Sequence, residues 1–304
     1  MNIQTKEPTI KDLRRYKSHA YVPYVMPTMI LMALLAITPI IFVILISFTN
    51  YQLGTPFSDT KFIGLSNYIR LFDGTDSIFP YSVYISLFMM VAATSFQMVL
   101  GFINAMLLNQ DFKFKGLALA CLIVPIAMTP SIASQIWKLM YNSEFGVINY
   151  FVEMITGLQV VWLGKEFAIL SVLIANIWMS TPFVTLILYA GLRTLPQEPF
   201  ESAIIDGANR FELFYYVTLP LMKYLILLTL LLRSIDMMKM FDIPYVLTQG
   251  GPGSITQFLG LMIYDVGFGV SGMIGRASAI SVILILIVSV MALFLINTMR
   301  KNRN

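Results

Sequence analysis

Six stretches of this chain carry few charged residues, and each is long enough to cross the hydrocarbon core of a membrane as a helix. A crossing needs about 20 predominantly apolar helical residues. Backbone that faces lipid must satisfy its own hydrogen bonds, so stretches of this kind are expected to be helical. The sequence therefore predicts an all-α, polytopic membrane protein with six transmembrane helices. The predicted spans cover residues 24–48, 81–108, 117–137, 167–192, 219–240 and 277–299.

Prolines inside these spans predict kinks, because each removes a backbone donor that a neighbouring group or water must compensate. They are Pro39, Pro125, Pro130 and Pro182. The transmembrane domain is expected to cover 23–299, between a basic leader at 1–22 and a short tail at 300–304. The uncharged run that follows the leader is longer than the 7 to 15 residues of a signal-peptide core, so the first span is expected to be retained.

Composition excludes several classes of protein. Of 304 residues 58% are hydrophobic and only 12% are charged, whereas an ordinary soluble domain is about 45–50% apolar. The sequence contains one cysteine, Cys121, and one histidine, His19. Neither a disulfide framework nor a histidine-based metal site is therefore expected. The basic residues lie at the chain ends and in short loops, where topology explains them, and no nucleic-acid partner is expected.

Lysine and arginine residues are distributed unequally between the two sides of the predicted membrane. One side holds Lys6, Lys11, Arg14, Arg15, Lys17, Lys113, Lys115, Arg193, Arg210, Lys223, Arg300, Lys301 and Arg303. The other side holds Lys61, Arg70, Lys138, Lys165, Lys239 and Arg276. Basic residues are enriched in cytoplasmic loops. We therefore predict that both termini and the loop around Glu201 are cytoplasmic, in a multi-pass protein of the cell membrane.

The loop at 193–220 is charged and favours helix formation, unlike the spans on either side of it. Pro196 and Pro199 are suited to a helix start, and Gly207 to its end. A second helix is predicted over 210–217. It would place Phe211, Phe214 and Tyr215 on one apolar face, which needs either a protein partner or the membrane surface.

Arg233 and Asp236 are charged residues inside the fifth predicted span. Arg233 follows Lys223 by ten residues, which is about 15 Å along a helix and close to the middle of a membrane. A charge there costs about 2.5–3.5 kcal/mol in insertion, so both side chains should avoid lipid. Their i, i+3 spacing allows them to pair. They could form a self-compensating ion pair against a partner, or contact a solute.

Several separate motifs resemble the carbohydrate-importer branch of ABC permeases, the maltose and glycerol-phosphate type. In the cytoplasmic loop they are Glu201, Ala203, Asp206, Gly207 and Ala208, followed by Leu219 and Pro220. After the first span they are Phe62, Ile63, Gly64, Leu65, Asn67 and Tyr68. After the fifth span they are Phe241, Asp242, Tyr245, Leu247, Thr248, Gly250, Gly251, Pro252 and Thr256, and then Gly275, Ala277, Ser278 and Ala279. Ser202 and Val217 depart from the family pattern, but keep a small or apolar side chain.

The resemblance implies a type I importer permease whose EAA loop, the loop around Glu201, grips a cytoplasmic ATPase. The coupling residues carried over are Glu201, Ser202, Ala203, Asp206, Gly207, Ala208 and Arg210. The implied partners are a homologous second permease, two ATPase subunits, an extracytoplasmic solute-binding protein, a carbohydrate and the lipid bilayer. The sequence has no GxxxxGK[ST] motif, so ATP and Mg are expected on the ATPase subunits. This chain is expected to bind no cofactor and to be no enzyme, and to work by alternating access.

The resemblance also implies which residues line the substrate pathway. On the fifth span they are Arg233, Asp236, Met237 and Met240, and on the fourth Met179, Ser180 and Phe183, with Asn176 and Trp178 close by. Arg233 suggests an anionic sugar such as a uronic-acid oligosaccharide. The segment 245–275 is expected to be re-entrant or interfacial and to face the solute-binding protein.

Two other classes remain open at this point. A secondary transporter or channel would also show six spans, but should show internal repeats or a filter-like loop. A membrane enzyme would need clusters of catalytic side chains.

Overall fold

The computed structural model describes residues 22–269 and 271–301, and most of these residues are helical. The helices, in chain order, are α1 (Val22–Ile46), α2 (Ser66–Phe72), α3 (Ile78–Asn109), α4 (Lys115–Ala127), α5 (Pro130–Met140), α6 (Val147–Thr156), α7 (Ala168–Arg193), α8 (Glu198–Ile205), α9 (Arg210–Glu212), α10 (Leu219–Met238), α11 (Asp242–Leu247), α12 (Leu259–Phe268) and α13 (Ile274–Lys301). A single bridge between Thr49 and Phe62 is the only β pairing within the described ranges. Residues 1–21 of the predicted leader, including His19, and Arg303 in the tail lie outside these ranges.

The described residues contain five helical segments long and apolar enough to cross a membrane, or six if one bent pair counts as a span. The five are α1, α3, α7, the stretch Arg210–Leu247 from α9 to α11, and α13. The bent pair is α4 and α5, which meet at 100°. The all-α, six-span prediction is confirmed with this qualification.

The third predicted span, 117–137, is broken into two helices at its predicted proline kinks. α4 contains Pro125, and α5 begins at Pro130 after Thr129, whose side-chain oxygen accepts a hydrogen bond from the backbone of Ile132 at 3.4 Å. Two prolines five residues apart thus lie on either side of a capped break. Pro39 and Pro182, in contrast, lie inside α1 and α7 without ending them.

The centre of the fold is the packing of α3 against α7. The two helices approach closely at Gly101, where an added Cβ would lie 2.6 Å from a methyl carbon of Val184. Glycine at this position therefore permits the contact. α1 lies at the edge against α13, and only Ile46 of its 25 residues is buried.

The segment between α10 and α13 contains two helices, α11 and α12. Neither is long enough by itself to cross a membrane. α11 packs against α5 and α7, and α12 packs against α3 and α13. The hydroxyl of Tyr81 on α3 donates to the carbonyl of Ile255 at 3.0 Å and ties the intervening turn down. This arrangement agrees with a re-entrant or interfacial segment, while its contact with a binding protein stays a prediction.

Candidate functional site

The loop after α7 contains the predicted coupling helix. α8 spans Glu198–Ile205 and begins close to Pro199. Gly207 follows with φ +87°, a left-handed conformation that glycine adopts without strain. The predicted first helix and its glycine end are both confirmed.

The predicted coupling residues lie mostly at the surface of this chain. Those exposed are Glu201, Ser202, Asp206, Gly207 and Arg210, and those half-buried are Ala203 and Ala208. Beside them Ile204 and Ile205 are 59% and 85% exposed. Exposed isoleucines next to charged residues are typical of a docking surface. Their role in coupling stays a prediction.

The predicted second helix, 210–217, is helical throughout, but it is continuous with the next span and is not a separate element. α9 is capped by Asn209, whose side-chain oxygen accepts from the backbone of Phe211 and Glu212. It continues through a π-helical turn, Leu213–Thr218, directly into α10. The wide turn ends two residues before Pro220, whose ring would clash with a carbonyl in a regular α-helix.

The three aromatic residues of the predicted apolar face point in two different directions. Phe211 and Tyr215 stack with ring centroids 6.4 Å apart and are 73% and 55% exposed. Phe214 instead packs edge-on against Phe102 of α3 at 5.5 Å. The loop is therefore anchored inward by one ring and presents two others to its surroundings.

The second candidate site is a charged group on α10. The guanidinium of Arg233 lies 3.3 Å from one carboxylate oxygen of Asp236, and the ammonium of Lys239 lies 3.6 Å from the other. The Arg233 side chain is 9% exposed, whereas those of Asp236 and Lys239 are 50% and 57% exposed. One carboxylate thus serves two cations, and the group carries a net positive charge.

Gln97 on α3 joins this group to α7, and the sequence reasoning missed it. Nε of Arg233 donates to Oε1 of Gln97 at 2.9 Å, and Nε2 of Gln97 donates to Oδ1 of Asn176 at 2.7 Å. Nδ2 of Asn176 in turn lies 3.5 Å from the sulfur of Met240. A glutamine inside an apolar span was the available signal, because such side chains commonly bond between membrane helices.

The other predicted pathway residues separate into two groups. Met237 and Met240 are buried in one apolar cluster, and Met179 packs against it. Ser180 and Phe183 lie one and two turns beyond Asn176 on α7. Ser180 is half-buried, and Phe183 is 37% exposed.

Trp178 lies apart from the Arg233 group. Its ring packs edge-on against Trp137 at 5.8 Å. It lines a groove of about 530 Å³ whose walls come from α3, α4 and α7. Two residues along a helix turn a side chain by about 200°, which explains why Trp178 and Asn176 point to opposite sides.

Metal binding has no candidate in the part of the chain that the structure describes, since no group of three histidine, cysteine or acidic side chains there could hold an ion.

Comparison with known proteins decides the family. Residues 97–301 match the family described as "Binding-protein-dependent transport system inner membrane component". The chain belongs to this family. It is a permease subunit of a binding-protein-dependent ABC transporter, located in the inner membrane, and the resemblance found in its sequence is confirmed.

Three relatives match between 76% and 92% of this permease. It is 36% identical to a probable ABC transporter permease protein, y4oQ, of Sinorhizobium fredii, over 92% of this chain and 89% of the relative. It is 37% identical to the trehalose/maltose transport system permease protein MalF of Thermococcus litoralis, over 76% and 77%. It is 30% identical to the sulfoquinovosyl glycerol transport system permease protein SmoG of Agrobacterium fabrum, over 80% of each chain.

A solved structure shares the fold of this permease. A chain of a bacterial ABC transporter involved in the import of the acidic polysaccharide alginate superposes with a TM-score of 0.79. The match covers 95% of this permease and 98% of that chain, at 20% identity. The architecture is therefore that of an ABC importer permease.

Proposed function

We propose that this permease forms half of the membrane pathway of an ATP-driven carbohydrate importer, and that its solute is an acidic oligosaccharide. The observation that carries the proposal is the sharing of Asp236 between Arg233 and Lys239. Two cations and one carboxylate leave a positive charge on a membrane-spanning segment. Such a charge would attract the carboxylate of a uronic-acid sugar.

The exposure of Asp236 and Lys239 supports the proposal that this charged group faces water. Charged side chains near a membrane centre cost about 2.5–3.5 kcal/mol each. Asp236 and Lys239 are nevertheless half exposed in this chain. The face of α10 that carries them therefore suits a water-filled path shared with a second, homologous permease.

The remaining subunits follow from the two ends of the fold. One of the two ATPase subunits, which bind ATP and Mg, would dock on the exposed loop formed by α8 and the Phe211–Tyr215 stack. The solute-binding protein would deliver sugar at the end that carries α11 and α12. Both termini would be cytoplasmic. ATPase closure would then be transmitted through α9 and the π turn into α10, giving alternating access to the Arg233 group.

The names of similar proteins support a carbohydrate solute. Two sequence relatives are named for trehalose or maltose and for sulfoquinovosyl glycerol, and the structural neighbour is described as importing an acidic polysaccharide. The first of these names favours a second candidate, a neutral disaccharide. For such a solute the charge of Arg233 would be compensated by Asp236 alone and would take no part in selection.

Uptake by the complete transporter in proteoliposomes, with its binding protein outside, separates the two candidates. We expect uptake of trigalacturonate, and at least a tenfold loss in Arg233→Ala, since a charged hydrogen bond contributes about 1.5–3 kcal/mol. Arg70→Ala, at an exposed position on α2, is the control. Unchanged trigalacturonate uptake in Arg233→Ala would contradict the acidic solute. Trehalose uptake that does not respond to Arg233→Ala would favour the neutral one.

A further inference from the structure

Gln97 uses both ends of its side-chain amide inside the helix bundle. It is completely buried on α3. Its oxygen accepts from Nε of Arg233, and its nitrogen donates to Asn176. The three side chains therefore lie on three different helices, Gln97 on α3, Asn176 on α7 and Arg233 on α10.

The chemistry of arginine determines which atom donates and which accepts in each of these hydrogen bonds. An arginine nitrogen can only donate, so the Gln97 oxygen must face Arg233. The Gln97 nitrogen must then face Asn176, whose oxygen accepts. Asn176 is left with its nitrogen towards the sulfur of Met240. One amide orientation of Gln97 therefore sets the orientation of both neighbours.

Arg233 is anchored at two points of its guanidinium. Gln97 holds Nε at 2.9 Å, while Asp236 contacts only Nη1, at 3.3 Å. A flexible four-torsion side chain held by a single long contact would sample several positions. The bond to Gln97 fixes the plane of the guanidinium, so its remaining donors stay beside the half-exposed carboxylate of Asp236.

We propose that Gln97 is a positioning residue that fixes Arg233 and Asn176 for the passing sugar, and so sets how efficiently each ATP-driven cycle transfers it. This inference rests on the proposed function. Gln97 itself does not touch solute, because it is completely buried. Its effect is transmitted through the two side chains that it holds.

The test compares Gln97→Met with wild type in the complete transporter, including the binding protein and both ATPase subunits. Methionine has a similar length but neither hydrogen bond. The first measurement is the rate at which phenylglyoxal modifies Arg233, followed by peptide mass spectrometry with Arg70 as the internal reference. We expect a several-fold faster modification of Arg233 in Gln97→Met, because a guanidinium that Gln97 no longer holds at Nε presents its terminal Nη atoms to the reagent more often.

The second measurement is the number of sugar molecules taken up per ATP hydrolysed, with trigalacturonate or trehalose as the probe. We expect this ratio to fall several-fold in Gln97→Met. Thr94→Val is the matched control. Thr94 is buried one turn earlier on α3 and its hydroxyl has no hydrogen-bond partner, so both measurements should stay at wild-type values.

Gln97→Glu separates positioning from general packing. A glutamate oxygen still accepts from Nε of Arg233, so the modification rate should stay slow, but the lost donation to Asn176 and the added charge should lower trigalacturonate transfer. Equal modification rates in wild type and Gln97→Met, or fast modification in Gln97→Glu, would overturn the inference. Absence of uptake of both sugars by wild type would overturn the proposed function alone, because the modification rates report the position of Arg233 without solute.

Discussion

Asp76 and Arg276 form an ion pair across 200 residues of sequence. Asp76 lies just before α3 and is 7% exposed, and Arg276 lies in the first turn of α13. The other carboxylate oxygen of Asp76 accepts from the backbone of Ile78 and Phe79. One buried side chain thus caps the central helix and holds the last one.

The ion pair predicts a stability defect in Asp76→Asn. The amide oxygen can still cap α3, but the charge that pairs with Arg276 is gone. We expect a loss of about 1–3 kcal/mol, as for a partly buried charged hydrogen bond. Thermal unfolding in detergent, followed by tryptophan fluorescence, measures it. Asp59→Asn, at an exposed position, should leave Tm unchanged, and an equal Tm in Asp76→Asn would contradict the prediction.

Gly207→Pro and Glu201→Lys should uncouple ATP hydrolysis from uptake without preventing membrane insertion. Proline holds φ near −65°, whereas Gly207 has φ +87°, so the end of α8 must change direction. Glu201→Lys reverses a charge in the first turn of α8. Uptake and ATPase activity of the purified complex measure the effect. Gly116→Ala, where an added Cβ meets nothing within 4 Å, is the control. Normal uptake in both loop variants would refute ATPase docking at this loop.

Ile205→Ser should weaken ATPase binding and Phe214→Ser should lower stability, although the two residues lie close in sequence. Ile205 is 85% exposed, so its loss should weaken ATPase association at least tenfold, if docking buries its full contribution of about 1.5–3 kcal/mol, and leave Tm unchanged. Phe214 packs on Phe102, so its loss should lower Tm. Co-purification of the ATPase and thermal unfolding separate the two effects. A lower Tm in Ile205→Ser would contradict the docking surface.

Gly101→Ala should destabilise the contact between α3 and α7. The added Cβ would lie 2.6 Å from a methyl carbon of Val184, and overpacking of this kind costs about 1–3 kcal/mol. Removing the opposing methyl groups in Gly101→Ala/Val184→Ala should recover part of the loss. Thermal unfolding of the single and double variants measures this coupling, and additive effects would show that the clash is not the cause.

Local patterns in the sequence were sufficient to predict the membrane spans and the helix in the cytoplasmic loop. Apolar length predicted the long helices α1, α3, α7, α10 and α13, and Pro196, Pro199 and Gly207 predicted where α8 lies. Pro125 and Pro130 predicted a kink. The 100° angle between α4 and α5 could not be predicted from these prolines, because a bend angle depends on what the two helices pack against.

The sequence by itself determined a six-span helical permease with a charged loop and an arginine-aspartate pair on its fifth span, because length, hydropathy and i, i+3 spacing act within one segment. Only the tertiary structure decided that Gln97 bonds Arg233, and that Phe214 packs inward while Phe211 does not. Gln97 and Arg233 are 136 residues apart. Their contact depends on how α3, α7 and α10 pack together, and on close approaches such as that at Gly101, which no local pattern specifies.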